Sequence, residues 1–173
     1  GDTLRYTLRV QNVGAENSIN TVLRDQIPAN TSYVANSTTL NGATVSDTAR
    51  GNSRLQSGLT INAPEDTTPG FMRADPAGTT NIATVTFDVV VSNNVINGTA
   101  ISNQAFVSGT GSAGDPYPDQ PSDDPDTALV NDPTIDVVGN LPILKIQKTA
   151  GFSPGGDINA DEIVDNGEGL RYT

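Results

Sequence analysis

The sequence predicts an all-β protein, an antiparallel β-sandwich with long irregular loops, and three observations support this prediction. Apolar residues recur with a period of two rather than 3.6, which is typical of strands with one buried face. Turn-forming residues are abundant, with 17 Gly and 11 Pro in 173 residues. About ten short apolar stretches alternate with these turns, and no stretch has the periodicity of a helix.

The clearest strands are predicted where apolar and polar residues alternate most regularly. Leu4, Tyr6, Leu8 and Val10 alternate with polar residues in the first, and Val85 to Val91 follows a similar pattern in the second. Such alternation places one face of each strand in the core and the other in water. Shorter strands are predicted at Asn20–Arg24, Thr31–Ala35, Ala43–Val45, Gly58–Ile61, Ala100–Val107, Thr127–Val130, Ile135–Val138 and Ile143–Lys148.

Two segments lack the signature of a core element. Residues 47–73 are rich in Gly, Ser, Thr, Asn and Pro, so we expect a long loop or irregular insertion against the sandwich. Residues 109–126 are denser still in turn-forming residues and contain four prolines. Neither segment is expected to supply side chains to the hydrophobic core.

The two ends of the chain carry nearly the same heptapeptide. Residues 167–173 match residues 1–7 at five of seven positions, and Glu168 replaces Asp2 as one acid for another. The matching acids are 168 − 2 = 166 residues apart, which indicates one period of a tandem array. We therefore assign residues 1–140 to one repeat whose N-terminal strand and calcium loop are truncated. Residues 141–173 are assigned to the first strand, the junction loop and the start of the next repeat.

The segment before the second heptapeptide has the ligand spacing of a calcium loop. Oxygen-bearing residues occupy positions 1, 3, 5, 9 and 12 of a twelve-residue stretch, and a backbone carbonyl would supply position 7. Glu162 stands at position 6, where an EF-hand loop has the glycine of its sharp turn. The flanks lack helical periodicity, so a strand–loop–strand Ca²⁺ site is predicted, and a solvated acidic turn is the alternative. The predicted ligands are Asp157, Asn159, Asp161, Ile163 through its carbonyl, Asp165 and Glu168.

A weaker second calcium site is predicted from the acidic residues of the 109–126 segment. Their spacing is irregular, unlike that of the junction loop. A run of like charges can also simply be solvated or disordered, and this alternative stays open. The candidate ligands are Asp115, Asp119, Asp123, Asp124 and Asp126.

Composition argues against several classes of function. The chain has 20 acidic and 9 basic residues, a formal charge of −11, and no His, Cys or Trp. Nucleic acids and anionic membranes are poor partners for such a surface, because both require clustered Lys or Arg. The lack of histidine removes the usual proton shuttle, so we do not expect an enzyme. No stretch is apolar and long enough to predict membrane insertion.

Several motifs resemble a known family. Residues 1–7 form a G-D-x-hydrophobic-x-Y-T strand, residues 12–14 an N-x-G turn, and residues 25–31 a D-x-hydrophobic-P-x-x-T segment. Together with residues 101–105 and 121–127, they resemble the conserved repeat domain of large bacterial surface proteins, a domain of unknown function. The resemblance implies an immunoglobulin-like β-sandwich, repeated in extracellular stalks and adhesins, with no known catalysis.

These observations predict a spacer module of a secreted or cell-surface bacterial protein. Calcium at the junctions would stiffen it, and its partners would be neighbouring repeats of the same polypeptide. An alternative is an adhesin domain that binds a surface glycan or protein through loops carrying Tyr33, Phe71 or Tyr117. A further alternative is an amide crosslink from Lys145 or Lys148 to an asparagine, with a nearby acid as catalyst, although the sequence identifies no asparagine partner.

Overall fold

A computed structural model describes residues 1–77, 81–139 and 146–173 of the chain. It confirms the all-β antiparallel class, because these residues form strands in several sheets and their one helical element is a short 3₁₀ turn at Arg54–Gln56. No helix in the described ranges has the length and hydropathy needed to cross a membrane. The chain divides into two compact units, Gly1–Asn140 and Leu141–Thr173.

The described residues form thirteen strands, which are numbered in chain order. In the first unit they are β1 (Thr3–Gln11), β2 (Ser18–Asp25), β3 (Thr31–Tyr33), β4 (Thr39–Leu40), β5 (Ala43–Thr44), β6 (Leu59–Thr60), β7 (Ile82–Val91), β8 (Ala100–Asn103), β9 (Ala105–Gly111), β10 (Pro116–Pro121) and β11 (Thr134–Val137). In the second unit they are β12 (Ala150–Phe152) and β13 (Leu170–Tyr172).

The larger sheet is organised around β7. β1 pairs with β7 along its full length, from Thr3 opposite Val90 to Gln11 opposite Ile82. β3 and β4 also pair with β7, and β5 pairs with β4. Every second side chain of β7 is buried, as the pleat of a strand with one covered face requires. Ala83, Val85, Phe87 and Val89 are inaccessible to solvent, and Val91 is 9 % exposed.

The second sheet has the order β10, β9, β2, β6. Its central strands bring Leu23 and Ala105 into the same hydrophobic cluster that contains Tyr6 and Phe87 of the larger sheet. β8 and β11 form a separate antiparallel pair, so the chain changes sheets at Gln104. The prediction of one continuous strand over Ala100–Val107 is therefore wrong at that residue.

The segment 47–73 contributes more to the core than its composition predicted. Leu55, Ile61, Ala63 and Met72 are buried in the central cluster. Leu55 lies in the 3₁₀ turn, where the hydroxyl of Ser53 accepts a 3.2 Å hydrogen bond from its backbone N–H. A loop of mixed composition can therefore cover a sheet when a few apolar residues point inward, and the prediction that this segment supplies no core is wrong.

The region 105–132 also differs from the prediction. β10 lies inside the supposed loop and pairs with β9, and it tolerates its three prolines because it is an edge strand. Residues 127–130, by contrast, are not a strand. Leu129 and Val130 are exposed, and the side chains of Thr127 and Asp132 hold a turn. Local apolar content misled the prediction there.

The second unit is a β-hairpin closed around an acidic loop. β12 and β13 are antiparallel, with Ala150 opposite Tyr172 and Phe152 opposite Leu170. Of the strand predicted at 143–148, residues 143–145 lie outside the described residues, and residues 146–148 are not in a strand. The described part of the unit therefore places the repeated Leu-Arg-Tyr-Thr motif in a strand, as predicted, with β12 as its partner.

Candidate functional site

The hairpin β12–β13 brings the two ends of the acidic loop together. The N–H of Ser153 donates to the carbonyl of Gly169 at 2.8 Å, and the N–H of Gly169 donates to the carbonyl of Gly156 at 3.1 Å. Gly156 is buried at this closure, where a side chain would collide with Ser153 and Gly169. These contacts close the base of the loop, so that residues 157–168 begin and end next to each other at the hairpin.

Three of the predicted ligands converge within the loop. The Asn159 side-chain amide lies 3.1 Å from a carboxylate oxygen of Asp161 and 3.1 Å from one of Asp165. The same amide accepts, through its oxygen, a 3.3 Å hydrogen bond from the N–H of Asp161. Positions 3, 5 and 9 of the predicted loop are thus neighbours in space, as their spacing requires for a calcium loop.

Glu168, at position 12, folds back across the loop. One of its carboxylate oxygens accepts from the N–H of Ile158 at 3.1 Å, and the other accepts from the N–H of Asp165 at 2.8 Å. Both oxygens are therefore bound by backbone N–H groups of the loop. Position 12 of an EF-hand-type loop carries the bidentate carboxylate ligand.

Asp157, at position 1, carries an unsatisfied oxygen. One carboxylate oxygen accepts from the N–H of Glu162 at 3.1 Å. The other is buried and has no hydrogen-bond partner among the described residues. A buried oxygen left unpaired is unfavourable by roughly 1–3 kcal/mol. A cation in the loop would supply a partner, so the oxygen-rich donor set fits a hard divalent ion such as Ca²⁺.

The loop turns through two residues in the left-handed region. Ala160 has φ 58° and Glu162 has φ 62°. At position 6, Glu162 therefore adopts a backbone conformation that glycine adopts without strain. The departure noticed in the sequence does not prevent the turn, but it makes the turn less favourable.

The carboxylates of the loop are directed at its own N–H groups. The N–H of Ile163, for example, donates to Asp161 at 2.8 Å. Among the described residues, no three acidic side chains are grouped closely enough to hold a metal ion. The structure thus brings the predicted ligands into one loop without assembling them into a coordination shell.

The aspartates of the predicted second site have other partners. Asp119 lies 3.8 Å from Arg24, and Asp115 contributes its backbone carbonyl to a turn with Gly111. Asp123 accepts from the N–H of Asn131, and Asp124 accepts from the N–H of Asp126 at 3.0 Å. The carboxylates of Asp123 and Asp124 thus stabilise turns by capping backbone donors. They are not gathered around a common point in the described structure.

A buried acid that the sequence reasoning missed lies in the first unit. Asp25 is 2 % exposed, and one of its oxygens accepts from the Asn103 amide at 3.0 Å. Its other oxygen has no hydrogen-bond partner in the part of the chain that the structure describes. Burial raises the pKa of Asp25 to about 7, and the Asn103 hydrogen bond opposes this shift. The signal was available, because Asp25 is two residues from Leu23 and so shares its inward face.

Tyr6 lies beside this acid. Its ring stacks on Phe87 with 5.2 Å between centroids, and its buried hydroxyl has no hydrogen-bond partner among the described residues. Burial raises the pKa of Tyr6 to about 12, and the negative charges of Asp136 and Asp25 add to the effect. None of the ion pairs formed within the described part of the chain involves these two acids.

The other candidate side chains have simpler surroundings. Tyr33 is partly buried and its hydroxyl contacts Asp47 at 2.7 Å, whereas Tyr117 is 47 % exposed on β10 and Phe71 is partly buried. The ammonium of Lys148 lies 4.5 Å from the centre of the Tyr172 ring. Lys145 lies outside the described residues.

Comparison with known proteins assigns no family. No protein-family model matches the chain, and no curated protein or solved structure is significantly similar to it. The resemblance to the conserved repeat domain of bacterial surface proteins thus stays a prediction from the sequence.

Proposed function

We propose that this chain is a structural repeat of a large secreted or cell-surface bacterial protein, stiffened by calcium at the junction between repeats. In this proposal the two main sheets of the first unit form an immunoglobulin-like β-sandwich. The single hydrophobic cluster shared by Tyr6, Phe87, Leu23 and Ala105 supports this arrangement. The duplicated heptapeptide supports the tandem array.

The buried, unpaired oxygen of Asp157 carries the calcium part of the proposal. Five carboxylates lie between Asp157 and Glu168, and this stretch contains no basic residue. Carboxylates held a few ångströms apart repel each other by about 1 kcal/mol per pair in water, and more when partly desolvated. A Ca²⁺ ion would remove that repulsion and order the entrance to the next repeat.

Calcium binding is expected to be weak, yet strong enough to keep the loop occupied outside the cell. Extracellular calcium modules bind with dissociation constants on the order of 10⁻⁴–10⁻³ M, which keeps them loaded outside the cell. Asp157, Asn159, Asp161, Asp165, Glu168 and the carbonyl of Ile163 would hold the ion. The ligand oxygens now accept hydrogen bonds from N–H groups of the loop, and they would turn from these groups toward the ion.

Calcium titration of the full chain, followed by calorimetry and thermal melting, tests this proposal. We expect saturable binding and a higher melting temperature for the junction unit, because a ligand that binds only the folded state stabilises it. Glu168→Gln should weaken binding ~10-fold or more, since it removes a ligand charge.

Glu162→Gln is the matched control, because it removes the same charge from the same loop at a position that supplies no side-chain ligand. If the two variants lost affinity equally, binding would reflect general acidity and not a defined site. An unchanged melting curve at millimolar calcium would remove the stiffening role.

A ligand-binding adhesin domain is the second candidate function, and the exposure of Tyr117 favours it. An exposed aromatic ring on an edge strand can stack on a sugar or a protein side chain. Glycan-array binding by the full chain, abolished by Tyr117→Ala, would support this alternative over the spacer.

A further inference from the structure

The inward side chains of β7 are fully buried, whereas two of their neighbours on β1 are only partly buried. On β7, Val85 and Ala83 are inaccessible to solvent. Their cross-strand partners on β1 are Leu8 and Val10, which point into the same core and are only partly buried. Because β1 is the edge strand of this sheet in the described residues, the core lacks cover along that edge.

A groove of about 370 Å³ follows this edge. Every residue from Tyr6 to Gln11 lines one side, and Ala105, Val107 and Pro121 line the other. A groove that touches consecutive residues of an edge strand runs along its backbone. An extended segment fits such a groove, because it can add to the sheet through backbone hydrogen bonds.

Within residues 1–77, 81–139 and 146–173, two polar groups of the groove have no hydrogen-bond partner. One oxygen of Asp25 and the hydroxyl of Tyr6 are both buried and unpaired, and Asn103 lies against the other oxygen of Asp25. None of the ion pairs among the described residues involves Asp25. Arg9 lines the groove but belongs to the exposed face of β1. The interior thus offers acceptors for an amine or ammonium group.

The chain contains a segment with matching chemistry. Its two lysines are Lys145 and Lys148, and both precede the second copy of the heptapeptide. Ile146 is 93 % exposed. In an extended segment Ile146 and Lys148 share one face and Lys145 has the opposite face. The contact of Lys148 with Tyr172 is an exposed cation–π contact, which is weak in water and can be exchanged for another partner.

We propose that the groove beside β1 is a strand-acceptor site for the lysine-bearing segment ending at Lys148 of a second copy of this chain. In this complex Ile146 covers the apolar part of the groove, and the Lys148 Nζ reaches the unpaired groups of Asp25 and Tyr6. In a tandem array the preceding repeat would supply the same segment. The site is distinct from the acidic loop and does not require calcium.

Binding of a fluorescent peptide of residues 141–150 to the full chain, measured by anisotropy in the presence of a chelator, tests the proposal. We expect saturable binding. Lys148→Met in the peptide should weaken it ~10-fold or more, because Asp25 would be left without a counter-charge. Lys145→Met in the peptide is the matched control and should have little effect. Both substitutions are in the peptide, so neither can unfold the receptor.

A receptor carrying Asp25→Asn should lose the preference for the Lys148 peptide over its Met variant. Circular dichroism of that receptor verifies its fold. No binding at millimolar peptide, or equal weakening by the two peptide substitutions, would overturn the proposal. Because the assay excludes calcium, its failure would leave the proposed calcium site untouched, and the reverse also holds.

Mass spectrometry of the incubated mixture gives a second readout. A complex lighter than the sum of its parts by one ammonia would also support the proposal. In that product the Lys148 Nζ has attacked Cγ of Asn103, the Cγ–Nδ2 bond has broken, and ammonia has left after proton transfer through the carboxyl group of Asp25. Such an amide can form only when the Lys148 amine reaches Asn103 and Asp25. The adduct must therefore disappear with Asn103→Ala.

Discussion

The two copies of Leu-Arg-Tyr-Thr have the same sequence and opposite environments. Tyr6, in the first copy, is 8 % exposed and stacks on Phe87, whereas Tyr172, in the second, is 58 % exposed beneath Lys148. Both copies are strands, but β1 pairs with the nine-residue stretch Ile82–Val90 of β7 and β13 pairs with the three residues of β12. The alternation of the motif specifies a strand, and the partner sheet decides what the strand buries.

Substitution of the two tyrosines by alanine is expected to give the largest contrast. Tyr6→Ala should destabilise the first unit by about 3–5 kcal/mol, because it removes a buried ring and leaves a cavity against Phe87. Tyr172→Ala should change stability by less than about 1 kcal/mol, since it removes an exposed cation–π contact. Urea denaturation of both full-chain variants measures the difference. Equal losses would contradict the assignment of the two environments.

Tyr6→Phe is the control for the hydroxyl group. The Tyr6 hydroxyl has no partner, so its removal should be neutral or slightly stabilising, whereas loss of a satisfied buried hydrogen bond would be destabilising. This variant separates the contribution of the ring from that of the phenol. It also leaves the stacking on Phe87 intact.

The buried acid beside the first copy should make stability depend on pH in an unusual direction. The pKa of Asp25 is about 7 in the folded protein and 3.8 when unperturbed, so the folded state holds this proton more tightly. The Asp25 contribution to stability is therefore greatest below pH 4 and is lost as the pH rises to 7. The loss is on the order of 4 kcal/mol, and it stays constant above pH 7.

Unfolding free energies of the wild type and Asp25→Asn between pH 4 and pH 8 measure this effect. Hydrogen bonding from the Arg5 side chain lowers the pKa of Asp88 below 3.8, so this carboxyl group stays ionised across the range. The difference between the two proteins isolates the contribution of Asp25. The variant should gain stability relative to the wild type as the pH rises, and parallel curves would exclude a raised pKa at Asp25.

Sequence patterns predicted the elements that depend on local order and missed those that depend on distant partners. We could predict β1, β7 and the acidic loop from their alternation and spacing, because each pattern follows from the geometry of one segment. The inward Leu55 and the strand β10 were not, since the sheet that they pack on or pair with is remote in sequence. The inward position of Asp25 follows from its spacing to Leu23, but its lack of a counter-charge depends on residues that are remote in sequence.

The loop before the second copy gives the smallest predicted effect. Glu162 holds φ 62°, a conformation that is less favourable for a residue with a side chain than for glycine. Glu162→Gly should therefore tighten calcium binding by about fivefold, or ~1 kcal/mol, by relieving the turn before the ion enters. The substitution also removes a charge, and Glu162→Gln measures that contribution separately. If the Gly and Gln variants bound calcium equally, the left-handed turn at position 6 would not limit the affinity of the loop.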